Sequence, residues 1–214
     1  MFKKIDIGRT LLMGDSYSTF KDYIPEGYVY WYDAGVNGVM GVQDTWWGAL
    51  FSKVESELVL NDSFSGTTIS HRGYDGKDVS DRSFITRARK LLEDGFFERE
   101  KIDTVLVFGG TNDTWANVPL GKFTLGEISE EEMYSVLPAI SYYTRILRQG
   151  APNARIIFIV SPILKQEIQQ AVFAAAEHFG CEAVLLSAFD VENGHPTKNG
   201  MYEIADCLYN YLNK

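Results

Sequence analysis

The feature of this sequence that most constrains its fold is an alternation of short apolar runs with longer amphipathic stretches. Apolar and β-branched residues dominate five runs, at residues 10–13, 57–60, 104–108, 155–160 and 183–186. Helical periodicity occurs between and after these runs, at residues 46–56, 79–93, 129–149, 165–179 and 198–212. Strands that alternate with helical crossovers form parallel sheets with helices on both faces. The pattern predicts a three-layer α/β/α sandwich around a central parallel sheet of about five strands.

Length and charge restrict the classes of protein to be considered. A chain of 214 residues, 45% of them hydrophobic, predicts a single domain over residues 1–214. Its net charge of -9 repels phosphate backbones, so we expect no nucleic-acid partner. No run approaches the roughly 20 apolar residues of a membrane span, and no signal peptide is visible, so we expect no membrane insertion. The chain as written is expected to be cytoplasmic, or secreted if a signal has been removed.

Several motifs of other protein classes do not occur in the sequence. The two cysteines, Cys181 and Cys207, have neither the number nor the pairing of a disulfide framework or a zinc site, and we expect them to be core thiols. The chain has no Walker A sequence, no His-Glu-x-x-His and no Gly-x-Ser-x-Gly nucleophile elbow. We therefore expect no metal and no cofactor, and an arrangement other than the ordinary α/β-hydrolase one.

Reactive side chains follow the predicted strands. In open α/β sheets, ligands bind outside the carboxyl ends of the strands. Here the strand ends carry Gly14-Asp15-Ser16, Ser65-Gly66, Gly110-Thr111-Asn112-Asp113 and, near the last strand, Gly194-His195-Pro196. Acyl transfer needs a hydroxyl nucleophile, an imidazole base and donors for the oxyanion, and these strand ends supply all three. Each block alone is weak, and the combination predicts an acyl-transfer site.

These four blocks, in this order and spacing, resemble the conserved blocks of the SGNH (GDSL-like) hydrolase superfamily over almost the whole chain. The resemblance implies the flavodoxin-like SGNH hydrolase fold, Ser16 as nucleophile and His195 as base. It also implies an oxyanion hole formed by the backbone N–H groups of Ser16 and Gly66 and the side-chain amide of Asn112. Glycine lets a backbone approach a ligand closely, and an asparagine amide donates hydrogen bonds without titrating.

The group that orients the histidine is where the chain departs from the family pattern. The usual aspartate lies three residues before the histidine, but Glu192 occupies that place and Asp190 lies five residues before. The turn dipeptide Asn193-Gly194 can loop out residues and bring Asp190 to the imidazole, or it can set Glu192 opposite His195. We favour Asp190 because its shorter side chain is the more usual partner. Glu192, or a backbone carbonyl in a Ser-His dyad, are the alternatives.

Other residues are assigned by their position near these blocks. Residues 20–45 and 112–129 are long enough to be lids or binding loops. We expect Trp115, three residues beyond Asn112, and Tyr17, beside the nucleophile, to bind substrate. His178 is expected in a surface or capping role in a helix. His71 is expected on a loop surface, with a place lining the cleft as the alternative.

The function implied is that of a serine esterase that hydrolyses a small ester through an acyl-enzyme. Its partner is a small-molecule ester, either an O-acetylated carbohydrate or a short-chain acyl ester. An SGNH acyltransferase or thioesterase is an alternative within the family. From another class, a flavodoxin-like non-catalytic binding module would use Ser16, Ser18 and Thr19 to hold a phosphate at a helix N-terminus.

Overall fold

A computed structural model describes residues 4–214 and contains a five-stranded parallel sheet. Its strands are β1 (Asp6–Gly14), β2 (Glu55–Ser63), β3 (Thr104–Phe108), β4 (Arg155–Val160) and β5 (Glu182–Leu185). Their order across the sheet is β2-β1-β3-β4-β5, so the strand order reverses beside β1. Ligands of such sheets bind at this reversal, outside the carboxyl ends of the strands. The predicted fold class and strand count are confirmed.

Helices cover both faces of the sheet. They are α1 (Trp46–Lys53), α2 (Phe84–Glu93), α3 (Phe96–Glu100), α4 (Thr111–Trp115), α5 (Val136–Gly150), α6 (Gln166–His178) and α7 (Lys198–Leu212). One face carries α1 packed on α7, and the other carries α5 packed between α2 and α6. None of the helices within residues 4–214 is long and apolar enough to cross a membrane.

The central strands are apolar on both faces because each face meets a separate core. In β1, Leu11 and Met13 pack into the core under α2 and α5, while Leu12 packs into the core under α1 and α7. In β3, all five residues are buried. This two-sided burial explains why the strands are continuous apolar runs rather than alternating ones.

The predicted helices are confirmed as elements, but two begin later than the periodicity indicated. The helix predicted from residue 79 begins at Phe84 because the Ser83 hydroxyl accepts from the N–H of Thr86 and caps it. The helix predicted from residue 129 begins at Val136, after a single 3₁₀ turn. The short helices α3 and α4 were not predicted, and α4 overlaps the start of the expected loop 112–129.

A small antiparallel hairpin precedes α7. It pairs β6 (Val191–Glu192) with β7 (His195–Pro196) around Asn193 and Gly194, which have φ values of 51° and 75°. Two consecutive residues with positive φ form the two-residue turn that suits a twisted hairpin, and Asn-Gly is its preferred sequence. The register places Glu192 opposite His195. Elsewhere, Cys181 and Cys207 are free thiols that are half-buried, and each packs against one of the two cores.

Candidate active site

Ser16 and His195 meet at the carboxyl edge of the sheet, although they lie far apart in the chain. The Oγ of Ser16, just beyond β1, lies 2.9 Å from Nε2 of His195. The other ring nitrogen, Nδ1, lies 3.1 Å from the carbonyl oxygen of Asn193. Because a carbonyl oxygen only accepts, Nδ1 carries the proton and Nε2 keeps its lone pair for the serine hydroxyl. This is the tautomer that a general base requires.

Neither carboxylate considered for the triad contacts the imidazole. The Asp190 side chain accepts from the Thr197 hydroxyl at 2.5 Å, at the start of α7. Glu192 lies opposite His195 across the hairpin, but its side chain is exposed to solvent. Among residues 4–214, no acidic side chain forms a hydrogen bond or ion pair with the His195 ring. The observed partner of Nδ1 is thus the backbone carbonyl, the third of the alternatives drawn from the sequence.

Two backbone N–H groups in the strand-end loops have no acceptor among the described residues. Within residues 4–214, the N–H groups of Ser16 and Gly66 donate to no protein acceptor. Gly66 is exposed, has a φ of 78°, and has no atom within 4 Å of the place where a Cβ would stand. A positive φ favours glycine, and the open space lets a substrate approach this backbone closely.

Asn112 is held in one orientation by bonds to both ends of its amide. Its Nδ2 donates to the carbonyl of Thr67 at 2.9 Å, and its Oδ1 accepts from the Tyr74 hydroxyl at 2.8 Å. One N–H of the amide is then free for a further acceptor. Sequence reasoning missed Tyr74, which lies 38 residues before Asn112 in a loop and has no motif around it. The one feature that singles out Tyr74 is that its aromatic side chain is 41% exposed, and only the structure shows this.

Buried polar side chains tie the three loops of this edge together. Asp113 accepts from the N–H groups of Ile69 at 2.8 Å and Ser70 at 3.2 Å, which fixes the chain after Gly66. Arg87 of α2 forms a buried ion pair with Asp62 at 2.9 Å, with both side chains 3% exposed. The same guanidinium donates to the carbonyl of Gly14 at 3.2 Å and to the hydroxyl of Thr67 at 3.3 Å. Arg87 thus joins the end of β1 to the loop that carries Gly66.

Burial shifts three pKa values at this edge. It raises the pKa of Asp15 to about 7, with the charge of Asp113 adding to the effect, and it raises the pKa of Asp113 to about 6. Both carboxyls therefore carry less negative charge near neutral pH than exposed aspartates would. Burial also lowers the pKa of His195, and the hydrogen bond to Asn193 opposes this in part. The imidazole is thereby kept neutral, as a base must be.

Two tryptophans lie against the imidazole. The indole of Trp31 stacks on the His195 ring with centroids 3.7 Å apart and planes inclined by 6°. Trp115 meets the same ring edge-on at 5.7 Å, and the two indoles are 37% and 40% exposed. Trp115, one of the two residues expected to bind substrate, therefore exposes ring surface beside the imidazole. Tyr17 does not, because it is 1% exposed and its hydroxyl donates to the carbonyl of Gly194 at 2.7 Å. Tyr17 contacts the histidine hairpin and has no surface for substrate.

The phosphate-binding arrangement considered from the sequence is not present at this loop. Ser18 and Thr19 are fully buried, and their hydroxyls bond to protein partners. The segment Ser16–Ser18 is a single 3₁₀ turn rather than the start of a long helix.

The other two histidines lie away from this edge. His178 is exposed, as predicted. The surface position predicted for His71 is wrong: it is 3% exposed, and its Nδ1 lies 2.9 Å from the Ser83 hydroxyl, which also caps α2.

A sequence profile and several solved structures are similar to this chain. The sequence profile of the GDSL-like lipase/acylhydrolase family matches residues 9–212. A structure assigned to a GDSL-like lipase of Bacteroides ovatus is 33% identical, has a TM-score of 0.88, and covers 100% of this chain and 99% of its own. One from Bacteroides uniformis is 35% identical, with a TM-score of 0.86 and coverages of 99% and 96%.

A more distant structure, of a carbohydrate esterase, is 16% identical, has a TM-score of 0.67, and covers 98% of this chain and 69% of its own. It shares the fold. No curated protein matches the chain. The family match spans both the nucleophile block and the histidine block, and the fold and the edge geometry agree with it. The chain belongs to the GDSL-like lipase/acylhydrolase family.

Proposed function

We propose that this protein is a serine esterase that hydrolyses a small ester through an acyl-enzyme on Ser16. The observation that carries the proposal is the 2.9 Å contact between the Ser16 hydroxyl and Nε2 of His195, beside unused backbone N–H donors. A nucleophile within hydrogen-bond reach of its base, itself oriented by a third group, is the arrangement of a serine hydrolase.

Acylation begins when Nε2 of His195 takes the hydroxyl proton and Ser16 Oγ attacks the ester carbonyl carbon. The carbonyl oxygen becomes an oxyanion, which accepts from the N–H groups of Ser16 and Gly66 and from the Asn112 amide. The imidazolium formed at this step stays stacked on the face of Trp31, an arrangement that favours a cation. The bond to the alcohol oxygen then breaks, and this oxygen takes the proton from Nε2.

Deacylation repeats the same steps with water. Nε2 takes a proton from a water molecule, whose oxygen attacks the acyl carbon. The bond to Ser16 Oγ breaks, the serine recovers its proton from Nε2, and a carboxylic acid leaves. No step requires a carboxylate beside the histidine, because the Asn193 carbonyl holds the Nδ1 proton throughout.

The dyad predicts that neither acidic residue is needed for turnover. In Asp190→Asn the amide oxygen still accepts from Thr197, and in Glu192→Gln an exposed side chain loses only its charge. We expect kcat of each variant and of the double variant to stay within about threefold of wild type, as for surface substitutions. Initial-rate kinetics on a chromogenic ester measure this. A loss above tenfold in one variant identifies that residue as the triad acid instead.

The pH profile follows from the burial of His195. Turnover is expected to rise with pH as the imidazole loses its proton, with a midpoint below the ordinary histidine value of about 6.5, because burial lowers the pKa of His195. Since Asp15, with a pKa of about 7, titrates nearby, His195 should also be followed directly by NMR of ¹⁵N-labelled histidine. A His195 midpoint above about 6.5 would indicate a paired carboxylate.

The surroundings of Ser16 support a small acyl group on a carbohydrate alcohol. Ser16 itself is 2% exposed, so a compact acyl group reaches its hydroxyl more readily than a bulky one, and Trp31, Tyr74 and Trp115 expose ring surface at this edge. Aromatic faces of this kind bind the apolar faces of sugars as well as acyl chains. The similar fold of a protein described as a carbohydrate esterase supports the same substrate class.

A substrate screen tests the proposal. p-Nitrophenyl esters of graded chain length and acetylated oligosaccharides are assayed in parallel, with Ser16→Ala as the blank for enzyme-independent hydrolysis. We expect acetyl and other short esters to be cleaved faster than long ones. No turnover of any ester by folded protein would contradict the proposal.

A further inference from the structure

The hairpin that carries His195 is held by side chains along its whole length. Each backbone carbonyl from residue 192 to residue 196 accepts a side-chain hydrogen bond. Asn37 Nδ2 donates to the carbonyls of Glu192 at 2.9 Å and His195 at 3.1 Å. The Asn193 carbonyl accepts from the imidazole itself. The remaining two, of Gly194 and Pro196, accept at 2.7 Å from the hydroxyls of Tyr17 and Tyr32.

This hairpin needs external support. It has two residues in each strand, and residues 191–194 are exposed. An isolated two-stranded ribbon is marginally stable in water. The partner of Nδ1 belongs to the same hairpin, two residues before the histidine. Any movement of the hairpin backbone therefore moves both the imidazole and the group that orients it. A carboxylate on a separate strand would instead stay in place when the hairpin moved.

The positions of Tyr17, Tyr32 and Asn37 suit these donors to hold the hairpin in place. Tyr17 follows the nucleophile directly, so one segment fixes both Ser16 and the hairpin. Tyr32 is 0% exposed and is anchored in the core on the α1 and α7 face. Asn37 has a φ of 49°, a conformation that asparagine tolerates better than most residues. Burial raises the pKa of both tyrosines, so their hydroxyls remain donors at any working pH.

We propose that Tyr17, Tyr32 and Asn37 are positioning residues that fix the His195 hairpin and so replace the orienting role of a triad carboxylate. We call these three side chains the hairpin clamp. The inference rests on the proposed function, since a positioned base matters only if Ser16 is the nucleophile. It also makes loop 20–45, which supplies two of the three residues, part of the machinery that orients the base.

Three variants remove the clamp donors with little other change. Tyr17→Phe and Tyr32→Phe delete only a hydroxyl, and Asn37→Gly deletes the amide while keeping a residue that accepts positive φ. Tyr211→Phe is the matched control, because it removes a hydroxyl bonded to Glu182 at the far edge of the sheet.

Misplacing a reacting group by about 1 Å can lower the reaction rate by about 10²-fold. We expect kcat to fall by about tenfold or more in Asn37→Gly and in the double tyrosine variant, with KM within about twofold and Tyr211→Phe unchanged.

A second readout separates positioning from loss of structure. The chain has three histidines, so ¹⁵N-histidine NMR resolves each one. In the wild type, His195 is expected as the Nδ1–H tautomer, and in the clamp variants as a tautomer mixture. The signals of His71, buried beside Ser83, report the general fold and should not move. Clamp variants with wild-type kcat and unchanged His195 signals would overturn the inference.

The clamp and the proposed function fail in distinguishable ways. If the wild type cleaves esters and the clamp variants do so equally well, the function stands and the clamp is wrong. If the wild type cleaves no ester, the proposed function is wrong, and the His195 tautomer still tests whether these side chains position the ring.

Discussion

Replacing Ser16 with alanine is expected to lower ester turnover by at least about 10³-fold and to leave the fold intact. Removal of a serine nucleophile leaves only the rate enhancement due to substrate binding and the oxyanion donors. The fold should survive because the only side-chain hydrogen bond of Ser16 among residues 4–214 is the one to His195. Steady-state kinetics and thermal unfolding of the same preparation measure both effects.

A covalent label locates the nucleophile independently of any substrate. A fluorophosphonate should react with one residue, and mass spectrometry should find the label in the peptide that contains Ser16. Ser65→Ala is the matched control, since Ser65 is a neighbouring, partly exposed serine beside Gly66. Labelling at Ser65, or wild-type turnover by Ser16→Ala, would show that another loop carries the nucleophile.

The second large effect is expected at Asn112. Asn112→Ala removes one oxyanion donor, and the loss of such a donor typically lowers kcat by about 10²- to 10³-fold. KM should change little, because the donor acts on charge that develops in the transition state. Unfolding measurements must accompany the kinetics, since the Thr67 carbonyl also loses its partner.

Tyr74 provides the internal control for this prediction. Its hydroxyl donates to Oδ1 of Asn112. Tyr74→Phe should therefore lower kcat less than Asn112→Ala does, because it only removes a hydrogen bond that orients the Asn112 amide. In a double-mutant cycle, Tyr74→Phe should therefore have almost no effect once Asn112 is alanine. An equal effect in both backgrounds would mean that Tyr74 acts on substrate directly. A wild-type kcat in Asn112→Ala would remove Asn112 from the oxyanion hole.

The architecture was predictable from the sequence because burial on both faces leaves a local signal. Residues 11–13 of β1 and 105–108 of β3 are continuously apolar, and the helical stretches between such runs indicate parallel crossovers. Ser16, Gly66 and Asn112 were predictable for a related reason, since each follows a strand and parallel strand ends share an edge. Their assigned roles rest on the family resemblance, and the variants above test those of Ser16 and Asn112.

The orientation of His195 was not predictable beyond a set of alternatives. The Asn193-Gly194 dipeptide indicated the turn, and one of the two arrangements considered, with Glu192 opposite His195, is the one present. The ring nevertheless forms its Nδ1 hydrogen bond with the Asn193 carbonyl of the turn itself. Which of these partners it meets depends on side-chain rotamers, and rotamers leave no pattern in the sequence. Tyr32 and Asn37 contact the hairpin from more than 150 residues away in sequence, and periodicity reveals only nearby relationships.

The position of loop 20–45 limits how the specificity of this protein can be changed. Trp31 faces the imidazole and the open side of the site, whereas its neighbour Tyr32 points into the core and holds the hairpin. Exchanging the whole loop for that of a relative would therefore remove the hydrogen bonds that position His195 as well as the contacts that set the present specificity. Divergence toward new substrates, in evolution or in the laboratory, is compatible with activity mainly through single changes at outward positions such as Val29 and Tyr30, which are 55% and 42% exposed.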